Sequence, residues 1–281
     1  MFSHFAPMRI PIFICLIAGT LAITSCAVFR PTDVNGPESN PAPYPILLES
    51  EGERQNNALV AWKQMAQHFG LSDQLPEIQP GTATLKNLPA NASGGIVLPR
   101  VGVGPAETEE ELRESLRRFI AEWRPLIGAQ LDQLSLVERT DLPAGEKIAR
   151  YEQHPFRYPL RGDFGQLVIR FRSDRRVTAI SSTCLTDVER LQSQLAAQAP
   201  KVTSEEAAEH VKGGSLAISG SSFTVPSTAV VEVRQLVAYV KEQMSSKTAL
   251  EVHLAWEVEL TNAPVKTVYL DAITDEIIAT K

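Results

Sequence analysis

Cysteine is scarce in this chain of 281 residues, with Cys15, Cys26 and Cys184 its only three. That number excludes a disulfide-stapled scaffold, so stability must come from packing. Histidine is nearly as sparse, and none of His4, His68, His154, His210 or His253 stands in the His-Glu-x-x-His spacing of a zinc peptidase. There is no excess of positive charge either: Lys+Arg 27 face Asp+Glu 33, a net charge of −6, which argues against nucleic acid as a partner. Nor is there an apolar run of the ~20 residues that a spanning helix needs. The longest candidate, Ile10 to Ile23, is short and interrupted by Pro11.

What the N-terminus does have is order. One positive charge at Arg9 precedes the apolar run, which ends in Ile23-Thr24-Ser25-Cys26. A charged region, a short apolar core and small residues at a cleavage point make a secretory signal rather than an anchor. A branched aliphatic three positions before a cysteine, with Thr and Ser between, resembles the bacterial lipobox. That resemblance implies cleavage after residue 25 and lipidation of Cys26, leaving Cys184 the only free thiol. Residues 1–25 are then the signal peptide, and the Pro-rich stretch from Arg30 to Pro45 reads as an extended tether within residues 26–48. The expected location is the cell envelope, lipid-anchored to a membrane. In a cell with two membranes Ala27, not Asp, after the cysteine points to the outer one.

Beyond the tether, residues 49–104 hold a helix from Glu49 to Phe69, with Leu59, Trp62, Met65 and Phe69 on one stripe, and an irregular segment with at most one strand. At Thr108-Glu109-Glu110-Glu111 a capping box announces a second helix. Its apolar stripe is Leu112, Leu116, Phe119, Ile120 and Trp123. The period then changes to alternation: Leu134 and Leu136, Ile148 to Gln153, Leu167 to Phe171, and Val177 to Cys184 read as four strands. Thr203-Ser204-Glu205-Glu206 repeats the capping box, with proline three residues before the threonine in both cases. A helix from Ser204 to Val211 follows. Strands then cover Ala229 to Val240, Leu250 to Leu260, Val265 to Ala272 and Glu276 to Thr280. The expected fold class is α+β: two consecutive units, each a helix packed on an antiparallel sheet.

These units carry a second resemblance. Tyr151-Glu152-Gln153, the Gly-rich bend Arg161-Gly162-Asp163-Phe164-Gly165, the aliphatic strand Gln166 to Arg172 and Arg176-Val177-Thr178 are similar to the fungalysin/thermolysin propeptide (FTP) motif. Thr203 to Ala208, Leu254-Ala255-Trp256-Glu257-Val258-Glu259-Leu260 and Val268 to Ile278 resemble a PepSY domain, the companion module in those propeptides. The resemblance assigns residues 105–187 to an FTP-like and 200–281 to a PepSY-like domain. Two turns depart from the family pattern, with Arg175 and Asp275 where glycine is usual. Because arginine tolerates positive φ less well than aspartate, the first of these turns is expected to be of another type.

In the family these modules precede a zinc peptidase, help it fold and block it until removed. Here the chain ends at Lys281, so the resemblance implies a propeptide-like module acting on an exported peptidase or other protein, as inhibitor or folding aid. The alternative is a structural or assembly lipoprotein using the same fold as a binding surface. Neither reading needs catalytic residues, a metal or a cofactor, and none is assigned. Sheet-edge pairing is the expected means of contact, through a free edge strand with Val265, Thr267, Val268 and Tyr269 at the interface.

The remaining motifs read blandly. His253 with Glu251 and Glu257 forms a polar strand face expected to be solvated. Cys184, at the end of an apolar strand, is expected to be buried packing. Gly102-Val103-Gly104 is a linker, because Glu107 would repel phosphate where a dinucleotide fingerprint has a small residue. Arg161-Gly162-Asp163 is a turn. Asn91-Ala92-Ser93 spells a glycosylation sequon with little meaning in a bacterial lipoprotein.

Overall fold

The computed structural model describes residues 43–281 apart from 51, 104–107, 155–156, 219–220 and 227. The expected signal peptide, Cys26 and most of the expected tether lie outside the described residues. The architecture is α+β. Strand β1 (Ile46–Glu49) is followed by helix α1 (Gly52–Phe69) and three short strands, β2 (Glu77–Ile78), β3 (Leu85–Asn87) and β4 (Ile96–Val97). Helices α2 (Glu109–Glu122) and α3 (Arg124–Ile127) precede β5 (Leu134–Asp141), β6 (Glu146–Gln153), β7 (Leu160–Gly162), β8 (Gln166–Arg172) and β9 (Arg176–Ser182). Helices α4 (Val188–Ala196) and α5 (Ser204–Val211) lead into β10 (Ser215–Ile218), β11 (Ser221–Thr224), β12 (Val230–Gln243), β13 (Ser246–Thr261), β14 (Thr267–Asp271) and β15 (Ile277–Thr280).

Both capping boxes form. The Thr108 hydroxyl accepts from the Glu111 amide at 3.2 Å while the Glu111 carboxylate accepts from the Thr108 amide at 2.8 Å. Thr203 and Glu206 repeat both distances. The stripe of α2 is buried as its spacing requires, with Leu116, Phe119 and Ile120 fully inside, each burial contributing about 1.5–3 kcal/mol. They pack on the five-stranded antiparallel sheet β4-β9-β8-β6-β5, against Leu167, Ile169, Phe171, Val177 and Ile180.

This core also takes in α1, through Ala58, Ala61, Trp62, Met65 and Ala66. The buried face of α1 is therefore centred on alanines rather than on Leu59, which is only half-buried. Leu85, Ile96 and Leu98 complete the same core, so residues 49–104 are built into it rather than standing apart. A chain beginning at Pro105 would expose it.

The second sheet has the order β15-β14-β13-β12-β7, with β1 pairing β13 antiparallel beside the end of β14. Two of its strands come from outside the C-terminal span. Strand β7 arrives from the stretch between β6 and β8 and pairs β12 in parallel, Ala238 opposite Leu160 and Val240 opposite Gly162. Strand β1 comes from residues read as tether, yet Ile46 and Leu48 are buried. The expected boundary between 187 and 200 divides the chain but not the sheets. It is also filled by α4, which the sequence reading left unassigned and whose Val188, Leu191 and Leu195 are buried at helical spacing.

The turns at Arg175 and Asp275 both take the left-handed conformation that favours glycine: φ is +67° at Arg175 and +61° at Asp275. The expectation of a different first turn is corrected. Arg175 is held there from both sides, its backbone carbonyl accepting from the Leu98 amide at 3.0 Å and its guanidinium donating to the Leu98 carbonyl at 3.2 Å.

Candidate functional site

Alternation along β13 sorts its side chains onto two faces. Leu250 and Val252 meet Leu191 and Leu195 of α4, Trp256 meets Ala207 of α5, and Val258 meets Val211. The other face carries Glu251, His253, Ala255, Glu257 and Glu259. It is not the solvated face that alternation alone suggests: His253 is 6% and Glu257 8% exposed, and Ala255 is fully buried. The sheet curls toward this side. The Lys281 ammonium, just past β15, lies 3.6 Å from Asp163, just past β7, so groups flanking the two opposite edges meet.

Two polar clusters fill the concavity. In the first, Glu257 is clamped by the Arg161 guanidinium, Nε to Oε1 at 2.5 Å and Nη2 to Oε2 at 3.2 Å, and also accepts from Gln235 at 3.0 Å and Tyr269 at 3.3 Å. Burial alone would raise the Glu257 pKa. The bonds from Arg161, Gln235 and Tyr269 outweigh it and hold the carboxyl below its usual range. Tyr269 is pushed the other way, up to about 12, by burial and by the Glu257 charge. Arg161 thus sits on a strand and anchors a buried carboxylate, where the sequence reading placed a turn.

In the second cluster Asp271, fully buried, accepts from the Tyr44 hydroxyl at 2.7 Å, from His253 Nδ1 at 2.7 Å, and from the amides of Ile273 and Thr274 at 2.8 and 3.0 Å. His253 Nε2 lies 3.3 Å from Glu251, which in turn pairs with Lys241 at 3.3 Å. The Tyr44 ring meets the His253 ring edge-on at 5.9 Å. Burial, then the bond to Asp271, pushes the Tyr44 pKa up.

A separate open cleft of about 700 Å³ lies between α1 and the start of α4, lined by Arg54, Arg124, Asp187 and Arg190. Arg54 pairs with Asp187 and donates to Thr186 at 2.9 Å, tying the two helices together.

His253 has a carboxylate at each ring nitrogen, and burial pushes the Cys184 thiol up to about 12, far from a nucleophile's range. Among the described residues no group of three or more His, Cys, Asp or Glu is placed to hold a metal ion. Known families and curated proteins give no match to this chain.

The contact strand expected from the sequence is not available. Strand β14 is paired on one side by β13 and on the other by β15, so it has no free edge. Val268 is fully buried, Val265 and Tyr269 are 4% exposed, and only Thr267 is partly open. The short C-terminal strand, which adds on after the Asp271–Asp275 turn, covers the edge. Tyr44, Arg161 and Gln235 were missed because the carboxylates they serve lie 22 to 227 residues away, and Asp271 because its side-chain partners His253 and Tyr44 lie 18 and 227 residues away. The one local hint was Ala255, a small apolar residue in the middle of an otherwise charged register.

Proposed function

We propose that this protein is a non-catalytic lipoprotein of the cell envelope, anchored through Cys26, whose folded part binds an exported peptidase and blocks it or helps it fold. The observation that carries the reading is a repeat in the sequence: a proline, a capping box and a helix, followed by alternating strands, occurring twice in the order of the FTP and PepSY motifs. Buried ion clusters without an accessible nucleophile or base fit a binding module better than an enzyme. No helix among the described residues is long and apolar enough to cross a membrane.

Two experiments test it. Cys26→Ser removes the thiol that accepts the lipid, so the variant should accumulate as unprocessed precursor and take up no labelled fatty acid; normal processing and labelling would end the lipoprotein reading. The lipid-free chain from Ala27 to Lys281, which keeps β1 and α1, should capture a peptidase from envelope extract and alter its activity or refolding yield. Recovery of assembly proteins alone would favour the structural alternative, and hydrolysis by the purified chain itself would overturn both.

A further inference from the structure

The edge of β13 beneath β1 differs from the other edges of the second sheet. Among the described residues, Val230–Val237 of β12 pair only with β13, but the side chains flanking that open edge include the exposed Val230, Glu232 and Arg234. An added strand would gain backbone bonds there and no side-chain pockets. The edge under β1 has both. Ile46 and Leu48 pack into the apolar core with Leu185, Leu191, Leu195 and Val252, while the ladder runs Ile46 opposite Val252 to Glu49 opposite Ala249.

The strand that occupies this edge is short and lightly fastened. It has four residues, pairs on one side only among the described residues, and carries an exposed Leu47. Where β1 stops and β14 has not begun, the backbone amide of Leu254 donates to the Tyr44 hydroxyl at 3.1 Å, so the phenol stands in for a missing strand residue. If Tyr44 departs, Asp271 keeps His253 Nδ1 and the two amides of Ile273 and Thr274. Its charge stays compensated, which makes departure far cheaper than the usual loss of a partner to a buried carboxylate.

We propose that Tyr44–Glu49 is a displaceable strap over a strand-binding site, and that the ligand is an extended segment of another protein with branched aliphatic residues at alternate positions. Resting on the protein-binding reading above, this assigns the contact to the Ala249–Val252 edge. The resident strand itself states the specificity: backbone pairing for affinity, and an Ile-x-Leu spacing for the two buried positions.

The test uses the mature chain with Leu47→Cys and Glu251→Cys, directly opposed across the ladder, so that oxidation locks the strap and reduction frees it in the same variant. The probe is a fluorescent peptide copying Tyr44–Glu49. It should enter the reduced protein slowly and saturably, fail to enter the oxidised protein, and fail in both when Asp replaces its Ile and its second Leu. In the otherwise unaltered chain, Tyr44→Phe should speed entry about tenfold, the effect of one hydrogen bond to a charged acceptor. Equal entry into locked and unlocked forms, or none into the reduced form and the Tyr44→Phe chain, overturns the strap site. Peptidase captured equally by locked and unlocked protein would do the same while leaving the partner reading intact. Peptide entry with no protein partner recovered has the reverse meaning.

Discussion

Replacing Asp271 with alanine should destabilise the protein by about 3–5 kcal/mol, the range for removing one side of a buried, hydrogen-bonded charge cluster. The carboxylate is fully buried and serves the Tyr44 hydroxyl, His253 and the amides of Ile273 and Thr274. Its loss leaves those donors together in a site closed to water. The expected observation is a lower denaturant midpoint at unchanged m, with faster hydrogen exchange at Ile46–Glu49. A shift of under about 1 kcal/mol would mean that water replaces the carboxylate and that the cluster does not fasten the strap.

The same group predicts an acid dependence whose sign is fixed. Burial would raise the Asp271 pKa, but the bonds from His253, Thr274, Tyr44 and Ile273 prevail and hold it below the usual value. A carboxyl depressed on folding contributes stability that is complete above its unfolded value, about pH 4, and is lost as pH falls through the folded value. Glu257 is depressed too and titrates in the same direction. Asp271→Asn should therefore flatten, without abolishing, the fall in stability below about pH 4, and an unchanged slope would refute the assignment.

Gly162→Ala should cost about 3 kcal/mol or more, well beyond the effect of a strained turn alone. Gly162 has φ +102°, and a Cβ there would lie 2.2 Å from the Val240 carbonyl oxygen, a backbone atom that cannot swing aside. Strand β7 would have to leave β12, taking Arg161 from Glu257 and leaving that buried carboxylate without its cation. Gly145→Ala is the matched control: φ there is +74°, but the nearest atom is the Ser173 hydroxyl at 3.4 Å. It should cost about 1 kcal/mol, for conformation only. Similar melting shifts for the two variants would show that the β7–β12 approach is looser than the structure has it.

Much of the fold was legible because it depends on local rules. Capping boxes are satisfied within four residues, so Thr108 and Thr203 announced α2 and α5 without help from the rest of the chain. Uninterrupted alternation from Leu250 to Leu260 made β13 readable for the same reason. Helix α4 was less legible, as it begins at Asp187 with φ +56° and no side-chain cap, and so lacks the usual opening signal. The candidate site was mostly illegible. A polar register on a strand specifies a face but not what covers it, and His253 and Glu257 are met by Tyr44 and Arg161, 209 and 96 residues away.

The sequence by itself determined helices α2 and α5, the alternating strands and their apolar faces, since each rests on residue types a few positions apart. The tertiary structure decided which strands are edges. Strand β14 read as a free edge until β15 was seen folded back on it, and Ile46–Glu49 read as tether until it was seen completing β13. Pairing between distant strands is selected by the total burial and hydrogen bonding of the assembled sheet, a sum over the whole chain that no local pattern of side chains encodes.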